Sequence, residues 1–81
     1  MKLPRDLSGN ELAAALRKFG YRVLRQTGSH VRLVTQLHGR EHHITIPAHT
    51  ALKTGTANRI LADVASHFEI PKAELIQALF E

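Results

Sequence analysis

The stretch that decides the fold is Tyr21-Arg-Val-Leu-Arg-Gln-Thr-Gly-Ser-His-Val-Arg-Leu-Val-Thr35. Its first half, Tyr21 to Gln26, is rich in strand formers and stops at Thr27-Gly28, a turn signal. Its second half, Ser29 to Thr35, alternates, so Val31 and Leu33 point one way while His30, Arg32 and Val34 point the other. A polar turn, His38-Gly39-Arg40-Glu41, leads to a third strand, His42 to Ile46. There Ile44 and Ile46 share one face, and His43 and Thr45 share the opposite one. Pro47 ends the strand because it cannot donate to the ladder.

Helices flank this meander. Ser8 and Glu11 have capping-box spacing, in which each side chain satisfies the other residue's backbone N–H. Leu12, Leu16 and Phe19 then recur as one apolar stripe, and Gly20 stands where a left-handed residue ends a helix. After a loop over residues 48–54, a second helix is expected from Gly55 or Thr56 to His67, with Ile60, Leu61, Val64 and Phe68 as its buried stripe. Thr54 or Thr56 is its candidate N-cap. Pro71 suits the first turn of a short last helix that brings Leu75, Leu79 and Phe80 to the core. The order α-β-β-β-α-α reads as one α+β domain over residues 1–81. It predicts a three-stranded antiparallel sheet with helices on one face. The other face is left to solvent and displays His30, Arg32, His43 and Thr45.

Composition narrows the chemistry. The chain has 81 residues, 43% hydrophobic and 22% charged, which is ordinary globular material. It has no Cys, so disulfides, Cys-ligated zinc and thiol nucleophiles are excluded. The longest apolar run, Leu12 to Leu16, is too short to span a membrane. No signal peptide is evident, and a cytoplasmic location without membrane contact is expected. The charge is uneven. Residues 1–59 hold ten Lys/Arg against three acids, a net of +7, and residues 60–81 hold one base against four acids, a net of −3. Five of the six His lie between positions 30 and 49. A basic, His-rich body points to a polyanionic partner.

Three groups of residues could carry chemistry. Gly28-Ser29-His30 places a His where a turn enters a strand, rigid yet accessible, and His changes charge near about pH 6.5, which suits general acid–base work. Ile46-Pro47-Ala48-His49 followed by Leu52-Lys53-Thr54-Gly55-Thr56 leaves a strand and enters a helix, where backbone N–H groups and Lys53 suit an anion. The His set His38, His42, His43 and His49 is a poor candidate for one metal site, since His42 and His43 point to opposite faces of a strand. No metal or cofactor is expected. A Ser29–His30 hydrolase triad is disfavoured because adjacent strand residues diverge.

The series Leu3-Pro4, Leu7-Ser-Gly9, Gly20-Tyr21, Arg25-Gln-Thr-Gly-Ser-His30, Ile46-Pro-Ala-His49, Leu52-Lys-Thr-Gly-Thr56 and Ile60-Leu61 resembles HicA toxins, the mRNA-cleaving halves of HicAB toxin–antitoxin systems (YcfA-like proteins). The resemblance extends through Glu74-Leu75 and Leu79. It implies a double-stranded-RNA-binding-like fold and metal-independent endoribonuclease activity on mRNA, with the His of the G-S-H motif, His30, at the active site. It also implies a HicB-type antitoxin covering the His30 face. On this reading Arg32 and Lys53 neutralise phosphate, Arg25, Ser29, His43 and Thr56 complete the RNA contacts, and His49 is a second proton-transfer candidate. The chain departs from the pattern at Ala57, where many members have Leu, and over Thr35–His43. The competing readings are an RNA-binding module of the same fold that does not cleave, and a pure interaction domain.

Overall fold

Why the chain turns where it does is visible at Ser8. In a computed structural model, which describes residues 3–81, the Ser8 Oγ accepts from the Glu11 N–H at 3.0 Å and the Ser8 N–H donates to Glu11 Oε1 at 2.8 Å. This reciprocal pair starts α1, Gly9–Ala15, whose last turn tightens into a 3₁₀ segment, Leu16–Phe19. Gly20 stops it with φ +80°, a value that L side chains adopt at a cost of about 1–2 kcal/mol. At the other end of α1, Gly9 is required by space, since a Cβ there would overlap the Pro47 carbonyl oxygen.

The strands are β1, Arg22–Thr27, β2, His30–Thr35, and β3, His42–Pro47, in the order β1-β2-β3 and antiparallel throughout. Gly28 and Ser29 alone join β1 to β2, with Thr27 opposite His30 and Gly28 at φ +54°. A Gly first in a two-residue loop is the II′ hairpin pattern, which follows the natural twist of the strands. A bulge between Val23 and Arg25 shifts the register of β1. Two helices follow: α2, Thr54–Phe68, and α3, Lys72–Phe80. This is the α-β-β-β-α arrangement with an additional C-terminal helix that the spacing predicts.

The inward residues of the sheet, Val31, Leu33, Ile44 and Ile46, meet Leu12 and Leu16 of α1, Leu61 and Val64 of α2, and Leu75 and Leu79 of α3. Phe80 is half-buried against the same cluster. The described chain is only 18 Å thick along its short axis, room for one sheet and one layer of helices about 10–12 Å across. The outer sheet face is therefore uncovered.

Four expectations need correction. Val34 shares the outer face with His30 and Arg32, yet it is 1% exposed. It sits on the central strand with Arg22 and His43 beside it in register, and long neighbours shield a short side chain. The N-cap of α2 is Lys53, with no side-chain cap, so neither Thr54 nor Thr56 caps the helix, which begins one to two residues early. Pro71 is the N-cap of α3 rather than a member of its first turn. The last turn of α1 is 3₁₀ rather than α-helical.

Candidate active groove

His30 opens β2, exposed, with Thr27 on one side and Pro47 on the other. Its Nδ1 has the Ser29 Oγ at 3.4 Å, a long contact that leaves the ring available. The turn carrying it is tied down: the Ala48 N–H donates to the Ser29 carbonyl at 2.7 Å. Further along the outer face Arg32 lies between Arg25 and Thr45 in register. Two like charges held opposite each other repel. Among the described residues every ion pair uses a His, so these arginines have no carboxylate partner there. The result is a positive stripe running from Arg25 to the rim of β3.

At that rim the sheet meets α2. Together they form a groove of about 350 Å³ lined by His30, Thr45 and Pro47 from the strands and by Thr56, Arg59, Ile60 and Asp63 from the helix. Thr56, Arg59 and Asp63 recur at i, i+3 and i+7, the spacing that puts side chains on one helix face. Of the residues singled out in the sequence, the structure brings together His30 and Thr56 in this groove, with Arg32 and Arg25 on the adjoining stripe. His43 is on the same outer face, half-buried, its Nε2 3.3 Å from Glu41 Oε1 and its Nδ1 buried without a partner. Lys53 and His49 are exposed and do not line the groove. The His49 carbonyl instead accepts from the Gly9 N–H at 3.0 Å, anchoring the loop to α1.

Arg59 and Asp63 escaped the sequence reading. Their polar helical spacing was a usable signal, but the groove they help form joins strand and helix and has no local signature. Asp63 is tethered by a polar chain that begins in the core. Tyr21 is 2% exposed, and burial, with the Asp63 charge adding to it, pushes its hydroxyl pKa well up, so the O–H is retained. That hydroxyl lies 2.7 Å from His42 Nδ1, and His42 Nε2 lies 3.3 Å from Asp63 Oδ1. A carboxylate only accepts, so Nε2 carries the proton of the neutral ring, and Nδ1 accepts from Tyr21. The His42 ring stacks on His67 at 4.5 Å and 9°, and His67 Nε2 is held by the Leu37 carbonyl at 2.9 Å. His38 pairs with Glu69 at 2.8 Å. The His residues outside the groove are thus mostly bound to one another or to acids, and among the described residues no three His, Asp or Glu side chains converge as a metal site would need.

The chain is thus a small basic α+β domain with an open cationic sheet and a groove at its edge. The family described as HicA toxin of bacterial toxin–antitoxin systems matches residues 9–65, and the chain belongs to that family. Comparison with curated proteins and with solved structures gives no match. Membership implies a HicB antitoxin as partner. No helix among the described residues is long and apolar enough to cross a membrane.

Proposed function

We propose that this toxin acts as a metal-independent endoribonuclease on mRNA, with His30 as its proton-transfer residue. The observation that carries the reading is the placing of an accessible His30 at a groove shared with Arg59 and continuous with the Arg25–Arg32 stripe. RNA supplies its own nucleophile, the 2′-OH. A phosphodiester drawn along the stripe by its charge presents phosphorus at the groove, where His30 accepts or donates the proton of the transfer. Acid–base assistance of this kind contributes about 10²–10⁴-fold. Arg32 and Arg59 neutralise phosphate oxygens, Arg25, His43 and Ser29 extend the contact, and Lys53 with Thr56 at the uncapped start of α2 receives a flanking phosphate. The antitoxin works by covering the His30 face, in competition with RNA.

The test is incubation of purified protein with RNA in excess chelator. Fragments are expected. RNA that is shifted on a native gel but stays whole would favour the second reading, a non-catalytic RNA-binding module, which the paired arginines on an open sheet would also serve.

A further inference from the structure

The groove holds a second group of the right chemistry, and it is not a histidine. We propose that Asp63 is the general base of the cleavage, with His30 as the general acid on the opposite side of the groove; this rests on the ribonuclease reading above. Asp63 and His30 line the same groove from its helix and strand sides without a hydrogen bond joining them, so each is left to act on a phosphate held in the groove. The volume of about 350 Å³ lies at the small end of the roughly 300–1,000 Å³ range of ligand sites. Arg59, four residues before Asp63 on the same helix face, does not pair with it, and the Asp63 carboxylate is engaged by His42 instead. Arg59 is thereby left for the phosphate.

The tether explains why a partly exposed carboxylate has a fixed direction. Tyr21 is anchored in the core, its hydroxyl holds His42, and His42 holds one oxygen of Asp63. His67 stacks behind His42 and limits its rotation. His42 is thus a positioning residue. The charged and titratable groups around Asp63 are Arg59 on its own helix, His42 on β3, His30 on β2, His67 one turn on, and Tyr21 beneath. In the reaction the Asp63 carboxylate takes the proton of the 2′-OH as the 2′-oxygen bonds to phosphorus. The bond from phosphorus to the 5′-oxygen breaks, and the His30 imidazolium protonates that oxygen. The products are a 2′,3′-cyclic phosphate and a 5′-hydroxyl, with no water or oxidant consumed.

The experiment measures the cleavage rate of an RNA oligonucleotide in chelator, as a function of pH, for the wild-type protein and for D63N, D63E and D63Q. D63N keeps an oxygen for His42, and its expected loss is about 10²–10⁴-fold in rate, with RNA affinity retained and the acid limb of the pH profile gone. D63E and D63Q have nearly equal volume and perturb packing alike, so D63E cleaving at least tenfold faster than D63Q isolates the carboxylate from any folding defect. Equal rates for D63E and D63Q, or wild-type rate and an unchanged acid limb in D63N, overturn the assignment. If His30→Ala is inactive in the same assay, the ribonuclease reading stands without Asp63. A wild-type protein that leaves RNA whole removes the reading itself.

Discussion

At the scale of single residues, the molecule uses buried polar atoms to aim exposed ones. Tyr21 is the clearest case, since its ring belongs to the core and its hydroxyl directs His42 toward the groove. Burial raises its pKa in the folded chain above the unfolded value of about 10. Below that pH neither state ionises Tyr21 and its stabilising contribution is complete. Above it the unfolded chain releases the proton while the folded chain keeps it, so stability falls as pH rises. Melting temperatures from pH 8 to 11 should therefore drop more steeply for the wild type than for Tyr21→Phe, and parallel curves would deny the buried hydroxyl this role. The Ser8 cap is the simpler case: Ser8→Ala should destabilise by about 0.5–2 kcal/mol in urea titrations without altering RNA cleavage.

At the scale of elements, the β1–β2 hairpin places His30 and the arginine stripe. A two-residue turn fixes register, and a slip of one position would send His30 and Arg32 inward and Val31 and Leu33 out to solvent. Gly28 meets nothing a Cβ would strike, so its requirement is the positive φ alone. Gly28→Ala should cost about 1–2 kcal/mol and lower cleavage by disturbing His30, whereas Leu33→Ala, in the core, should cost about 2–5 kcal/mol in the same denaturation assay. These elements were legible in the sequence because their signals are local: alternation in β2 and β3, the Ser8–Glu11 spacing, the stops at Gly20 and Pro47. The groove was legible only on its strand side. His30 stands out beside a turn, but Arg59 and Asp63 look like the solvent side of an amphipathic helix until α2 is packed at the edge of β3. The Tyr21–His42–Asp63 chain draws on three separate elements, and no period in the sequence announces it. His49 was singled out for its polar loop position and the Pro47-Ala48-His49 pattern; it is exposed and outside the groove lining, and its backbone carbonyl holds α1.

At the scale of the whole molecule, charge is divided unevenly along the chain. The basic portion, residues 1–59, contains the open sheet with Arg25 and Arg32, and also α1 with Arg17 and Lys18 in its 3₁₀ last turn. Two of the acids in the last quarter, Asp63 and Glu69, face His42 and His38 across the joint between the strands and the helices. Arginines on the sheet that no described carboxylate neutralises predict a strongly salt-dependent RNA affinity. Replacing Arg25 or Arg32 by Gln should flatten the slope of log affinity against log salt by about 0.7 for each single-stranded phosphate no longer neutralised, and an unchanged slope would move the binding face elsewhere. The role given to this face turns on RNA cleavage through His30. The most direct measurement is the single-turnover cleavage rate of the wild type and His30→Ala in excess chelator, with melting curves run alongside. Fragments are expected from the wild type and none from a His30→Ala protein that still melts cooperatively at a similar temperature. Cleavage by folded His30→Ala at the wild-type rate would contradict the role given to His30.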